Sequence, residues 1–358
     1  MENESLIPKM NTPTVFFTLA AIAISISGLI YFSGILKPLV MAFLVWFVIN
    51  QLKITIGKIK IRNKTLPPII CSISSFIIIL LTMYLSGTFL IYNIQGIIAS
   101  MPEYLEKLDN SADKATAFIN DPVLAEYLKQ WFSELDFAGM ATSIVNSLSD
   151  VVANSFVVII YIIFFIIEDA TLRIKVEKLF PGKGKHFVIF KHHMGSMNAA
   201  IRSYFLSKTI ISLITAAVSY ITLLILDVDY AFLWSFLVFT LNYIPYIGPF
   251  ISSVIPAVFA VLISGDFIQF VYVFATLELI QVVIGNFIEP ILMGKGTNLS
   301  PAVVVVALAF WGMIWGMVGM ILAVPVTAVF VVVLSQIPAT RYLAVLLSEK
   351  GTIPDIEG

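Results

Sequence analysis

The stretch NYIPYIGPFISSVIPAVFAVLISG, Asn242 to Gly265, is almost wholly apolar yet holds three prolines, two glycines and an asparagine. Proline removes a backbone donor and clashes with the turn before it, and glycine loosens a helix. An apolar segment written this way is a helix that breaks. The composition around it decides which solvent it breaks in.

Of 358 residues, 59% are hydrophobic and 12% charged, and the mean hydropathy is +0.98, whereas a soluble domain carries about 25% charged residues. The expectation is an all-α, polytopic membrane protein. The net charge of -1 gives no basic excess, so no nucleic-acid partner is expected. The single Cys71 excludes disulfides and a cysteine-rich metal site. The first residues, MENESLIPKMNTPTVFF, lead into an apolar run without a small-residue cleavage site, which reads as an uncleaved first span.

A crossing of about 30 Å of hydrocarbon takes about 20 apolar residues. Candidate spans are Pro13 to Phe32, Leu36 to Asn50, Ile69 to Tyr92, Val151 to Ile167, Lys208 to Leu226 and Phe267 to Phe287. Tyr230 to Ile263 and Leu299 to Gln336, at 34 and 38 residues, exceed one upright span. In all, about eight membrane segments are expected, with organisation 1–93 (spans), 94–150 (extracytoplasmic amphipathic segment), 151–207 (span and basic segment), 208–340 (transport region with broken helices) and 341–358 (cytoplasmic tail).

Lys and Arg favour the cytoplasmic side. Lys53, Lys58, Lys60, Arg62 and Lys64 stand together without an acid, and residues 169–207 hold seven basic residues against two acids. Residues 94–150 hold nine acids and three lysines. Both termini are therefore expected inside and residues 94–150 outside. Within that outer segment Val123, Leu124, Tyr127, Leu128, Trp131 and Leu135 form one apolar helical stripe after Asp121 and Pro122.

The two long runs can each be one tilted span or a hairpin that folds back. Hairpins place Asp227, Asp229 and Asp266 outside and Lys295 inside, and a 34-residue straight helix would reach about 51 Å. Charge and length favour hairpins. IGPFISSVIPAVFAVL and GMVGMILAVPVTAVFVVVL each set a glycine before a proline, Pro256 or Pro325, which suggests an inverted repeat. Small residues Gly312, Gly316 and Gly319 suit close helix approach, within a chain or in a homo-oligomer.

A carboxyl placed mid-span is costly and tends to face a cavity or a partner. Glu278 lies midway along its run, and Gln281, Gly285 and Glu289 follow at i+3, i+7 and i+11, one helical face. Glu278 is the candidate carrier of a proton or cation, with Gln281, Asn286 and Asn242 as neutral ligands. Broken backbone is tolerated only where it is buried in protein or lines a cavity, so Pro245 and Pro249 mark the same region. His186, His192 and His193 all lie in the basic loop with no carboxylate at ligand spacing, and no phosphate-binding glycine loop is present. No metal, cofactor, catalytic group or ATP drive is expected.

NYIPYIGPF, then GNFIEPILMGKGTNLSP and WGMIWGMVGMILAVPVTAV, resemble the autoinducer-2 exporter family of bacterial membrane proteins in order and spacing. The resemblance covers nearly the whole chain, with sharp motifs from Asn242 onward. It implies a transporter of the bacterial inner membrane without an ATPase subunit. Its cargo would be the quorum-sensing furanone autoinducer-2 or another small polar molecule, with exchange of sodium or lithium for protons as the alternative. The family pattern falls on Pro245, Gly248, Pro249, Gly285, Asn286, Pro290, Gly294, Gly316, Gly319 and Pro325. Ser300 stands where the family often has histidine before the proline matching Pro301. A rival from another class is a non-transporting membrane scaffold whose segment 94–150 binds a partner.

Overall fold

Thr12 and Pro13 open the first helix, where the missing proline N–H is not needed, and apolar residues carry α1 (Thr12–Tyr31) to a turn at Phe32. The computed structural model describes residues 12–61, 64–118, 156–168, 185–264, 267–293, 298–336 and 340–349, with isolated residues between them. α2 (Ser33–Gly57) returns to the basic loop, and α3 (Pro68–Phe118) again starts on proline. Between them Lys60–Ile61 pairs antiparallel with Lys64–Thr65, a two-residue β pair that the all-α expectation did not include. α3 does not stop at Tyr92. Its 51 residues run on as one helix of about 76 Å, of which Pro68–Ser100 is the apolar part. The amphipathic stripe around Trp131 lies outside the described residues, apart from isolated positions.

Next come α4 (Phe156–Glu168) and α5 (Lys185–Ile225), whose apolar part is Ile201–Ile225. Ala42 and Ile49 of α2 pack with Val158 and Ile162 of α4. α6 (Ala231–Leu241) and α7 (Ile247–Ser264) form a first hairpin, followed by α8 (Phe267–Val283), a π turn (Ile284–Ile288) and α9 (Glu289–Met293). α10 (Pro301–Trp315) and α11 (Met317–Gln336) form a second hairpin, and α12 (Arg341–Leu347) is the last described helix. By length and composition five described helices can cross a membrane, and four shorter apolar helices accompany them. Large apolar side chains such as Phe164, Ile221, Val306 and Leu279 remain exposed around the bundle, a surface made for lipid. The chain is a polytopic helical membrane protein.

Each long run folds back on itself. Gln269 Nε2 donates to Leu226 O at 2.7 Å, so the first hairpin leaves and rejoins the bundle at the same end of α5. α8 to α9 then runs back toward the start of the apolar part of α5, where Lys208 meets Glu289. The second hairpin begins there. Its base is closed by Ser300 N–H donating to Leu347 O and Glu349 N–H to Asn298 O. The two hairpins thus enter from opposite ends, and Leu241 and Ile244 at the first tip pack with Val304, Ala307 and Leu308 midway along the second.

One glycine closes each tip. A Cβ on Gly248 would lie 1.8 Å from the Leu241 carbonyl oxygen, and one on Gly319 would lie 1.9 Å from that of Trp311. In both hairpins the second helix therefore starts against the backbone of the first, the structural counterpart of the repeat read in the sequence. Gly316 makes the second turn at φ 68° and ψ -144°, a region essentially confined to glycine. Gly312 faces Met320, so these small residues are used within the chain.

This geometry separates two kinds of glycine. Gly319→Ala must displace backbone and should lower the thermal midpoint in detergent by an amount equivalent to about 1–3 kcal/mol, or abolish folding. Gly285→Ala, whose Cβ would meet nothing within 4 Å, should be neutral or raise stability by about 0.5–1 kcal/mol, as alanine does in helices. Equal melting of the two variants, read by fluorescence-detected size exclusion, would contradict the close-packed tip.

Candidate functional site

The break in the first hairpin follows from Pro245. It cannot donate, and it restricts Ile244 before it, so α6 ends at Leu241 and the chain turns through Asn242 to Tyr246, the last at φ 62°. Ile247 N–H reaches Pro245 O at 2.7 Å and Gly248 N–H reaches Ile244 O at 3.1 Å, which restarts the helix. Pro249 sits in the first turn of α7, where its missing donor costs nothing.

Polar side chains converge on this break from both sides. Asn242 is 3% exposed and its Nδ2 donates to Ser212 Oγ of α5 at 3.2 Å. Thr209, one turn earlier, shares a 2.7 Å hydrogen bond with the Tyr243 hydroxyl. On the far side Ser252 and Ser253 donate to Pro249 O, at 2.8 and 3.1 Å. Ser252 Oγ in turn accepts from Gln281 Nε2 of α8 at 3.2 Å. Pro256, four residues on and buried, cannot supply the helical donor to Ser252 C=O, so that carbonyl is freed at the same place.

Glu278 lies one turn from Gln281, and its Oε1 is buried without a hydrogen-bond partner. Carboxylate, amide, hydroxyl and freed carbonyl together offer oxygen ligands, the set that hard cations and hydrogen-bonding solutes accept. Among the described residues no group of three metal-ligating side chains forms.

The face expected to run from Glu278 to Glu289 is interrupted by the π turn. Pro290 cannot donate to Asn286 C=O and its ring crowds that carbonyl, and the turn before it widens so that Glu289 N–H bonds Ile284 O. Gln281 and Ile284 are buried, whereas Gly285, Asn286 and Phe287 are exposed. Asn286 Nδ2 is used by its own helix, on Val282 O at 2.9 Å. Glu289 instead turns onto α5, where Lys208 Nζ lies 2.7 Å from its Oε1 and Ser207 Oγ donates to Leu292 O at 3.0 Å.

The structure therefore ties Asn242 to α5 and Gln281 to Ser252 beside the Pro245–Pro249 break, leaves Glu278 one turn from Gln281 with a buried Oε1 that has no partner, and sets Glu289 in a separate pair. Gly316, Gly319 and Pro325 shape the second hairpin, whose polar contacts include Trp311 Nε1 donating to Thr327 Oγ1 at 3.1 Å and Trp315 Nε1 to Leu29 O at 3.4 Å. Ser212, Ser252, Ser253 and the Lys208 partnership were not singled out in the sequence. For Lys208 and Ser212 a signal was present on α5, where Lys208, Ser212, Thr215 and Ser219 recur at helical spacing inside an apolar run.

The Lys208 side chain is 5% exposed and that of Glu289 26%. Truncating one member of such a buried pair strands the other charge, so Glu289→Ala should cost about 3 kcal/mol in stability. The double replacement Lys208→Met with Glu289→Met should recover most of that loss. Thermal melts of the two variants in detergent give the order. A double variant less stable than the single one would mean that the pair is not the dominant interaction.

Residues 16–339 match the AI-2E family transporter profile. The chain is 28% identical to the AI-2 transport protein TqsA of Escherichia coli (strain K12), over 95% of this chain and 97% of that protein. It is 32% identical to a putative transport protein of Haemophilus influenzae (strain ATCC 51907 / DSM 11121 / KW20 / Rd), over 70% and 73% of the two chains. A third relative, the putative transport protein YhhT of Escherichia coli (strain K12), is 25% identical over 93% of each. With a match that spans both hairpins and the helices around them, this chain belongs to the AI-2E family of transporters.

Proposed function

We propose that the protein moves a small polar solute across the bacterial inner membrane by secondary transport, both termini being cytoplasmic, with Glu278 coupling that movement to protons or sodium. The observation that carries this reading is the unpartnered, buried Oε1 of Glu278 beside a proline-broken hairpin. A carboxyl held in an apolar bundle without a partner is costly unless it exchanges a proton or binds a cation in use. The Ser252–Gln281 and Asn242–Ser212 bonds hold the walls on either side while leaving that oxygen unengaged.

For the cargo, the relative TqsA points to the signal AI-2. Its polar, hydroxylated chemistry suits amide and hydroxyl walls. The second reading, sodium or lithium exchanged for protons, is favoured by the oxygen-rich ligand set and the freed Ser252 carbonyl. A scaffold has no use for a carboxyl at this place, and a transport role accounts for it.

The test is Glu278→Gln in proteoliposomes. The substitution keeps size and polarity and removes titration, so uphill transport driven by a proton or sodium gradient should fall to background. Downhill exchange of solute for solute should survive, because that mode need not release the coupling ion. A panel of autoinducer-2 precursors, sodium and lithium assigns the cargo. Uphill transport in the glutamine variant equal to wild type would remove Glu278 from coupling.

A further inference from the structure

Five polar side chains of α5, Tyr204, Lys208, Ser212, Thr215 and Ser219, follow one another at spacings of four, four, three and four. They occupy one helical face. None is more than 5% exposed, and the last three are 0% exposed. Such a row does not arise from backbone needs. Thr215 bonds the carbonyl of Ile211 in its own helix, but Ser212 receives Asn242, and Lys208 pairs with Glu289. Tyr204 Oη and Ser219 Oγ, at the two ends of the row, are buried without a hydrogen-bond partner. Unpartnered buried hydroxyls are uncommon in native structures and ask for an explanation.

The register of α5 against α8 and α9 supplies one. Lys208 meets Glu289, Ser207 meets Leu292 and Leu226 meets Gln269, so the two segments run antiparallel at a steady offset. Eleven residues along α5 from Lys208 is Ser219, and eleven residues back from Glu289 is Glu278. Both lie about 16 Å from the ion pair, at the same depth. Two of the buried unpartnered oxygens, Ser219 Oγ and Glu278 Oε1, thus share one level of the bundle, and the polar row leads from that level to the pair.

We propose that the row Tyr204–Lys208–Ser212–Thr215–Ser219 is a water-accessible path for a small monovalent cation, joining Glu278 to the end of the bundle at Lys208 and Glu289. The proposal rests on the reading of Glu278 as the coupling group. Each hydroxyl offers an acceptor at one helical turn from the next, a spacing that water bridges. The Lys208 ammonium would repel a cation at the mouth, and the Glu289 carboxylate at 2.7 Å cancels it. The pair leaves the mouth close to neutral while fastening α5 to α9.

The experiment is cysteine accessibility in full-length protein carrying Cys71→Ser, reconstituted in proteoliposomes and treated with 2-aminoethyl methanethiosulfonate. Ser212→Cys, Thr215→Cys and Ser219→Cys are compared with Leu213→Cys, Val218→Cys and Ile221→Cys, which replace exposed apolar residues of the same helix. Serine and threonine to cysteine are near-isosteric, and each variant is checked for a monodisperse peak and wild-type melting. The thiolate is the reacting form and needs water to exist. The path positions should therefore react about tenfold faster or more than the lipid-facing set. Equal rates in the two sets would make the row dry packing and overturn the proposal. Labelling needs no transport, so its outcome is separable from that of Glu278→Gln. Slow labelling with lost coupling sinks the path alone, whereas fast labelling with coupling intact in Glu278→Gln sinks the destination assigned to it.

Discussion

A backbone that stops being helical inside a bilayer must find partners for its amide groups within the protein, because lipid offers none. That demand organises the C-terminal half of this chain. At the first break, Pro245 ends α6 and the turn Asn242 to Tyr246 is covered by α5, by Leu241 and Ile244 against the second hairpin, and by two short backbone bonds. At the second, Gly316 turns the chain in one residue and Gly319 seats α11 on the carbonyl of Trp311. Each hairpin tip is covered on one side only: Asn242 and Ile244 are buried at the first and Ile314 and Trp315 at the second, while Tyr246 and Met317 face outward. Entry from opposite ends is what lets the first tip rest midway along the second hairpin rather than on lipid.

The two carboxyl groups on α8 and α9 show how the π turn divides labour. In an unbroken α-helix Glu278 and Glu289 would share a face, eleven residues apart. Pro290 widens the turn before it, and Glu289 swings to Lys208 while Glu278 stays on the helix before the turn, three residues ahead of Gln281. One carboxyl thus has a cation 2.7 Å away and the other has a buried oxygen with no partner. A group already held in an ion pair is poorly suited to exchange a cation each cycle. A group without a partner has nothing to release first. Two similar side chains on either side of the π turn therefore have different surroundings, and the difference lies in a proline twelve residues beyond the first.

Much of this was legible in the sequence, for physical reasons. The hairpins could be read because 34 and 38 apolar residues are too many for one crossing and because the flanking charges fall on matching sides. Glu278 stood out because a mid-span carboxyl is costly, and its Oε1 is buried without a hydrogen-bond partner. Ser212, Thr215 and Ser219 were hidden because a hydroxyl in a membrane helix can satisfy itself on the carbonyl four residues back, as Thr215 does on Ile211. Only the neighbour shows that Ser212 has a second use, on Asn242. The face carrying Gly285 was misplaced because a π turn is not visible in apolar periodicity. Pro290, which crowds the carbonyl of Asn286, was the available clue.

The two hairpins repeat in backbone but not in chemistry. Both have a glycine pressed on a carbonyl and a proline inside the second helix, Pro256 or Pro325. Yet the first has Asn242, Ser252 and Ser253 buried around its break, whereas the second buries Ile314, Trp315 and Leu322 against Leu29, Leu36 and Val40 at the α1–α2 end. A proline-freed carbonyl needs polar company to serve as a ligand. Beside Pro256 that company is Ser252 and Gln281, while Pro325 frees the carbonyl of Ile321 among apolar neighbours. The repeated backbone therefore sets two breaks in the bundle, and among the described residues the buried serine and amide side chains gather beside the first. The second hairpin meets that tip with apolar side chains, Val304, Ala307 and Leu308 against Leu241 and Ile244.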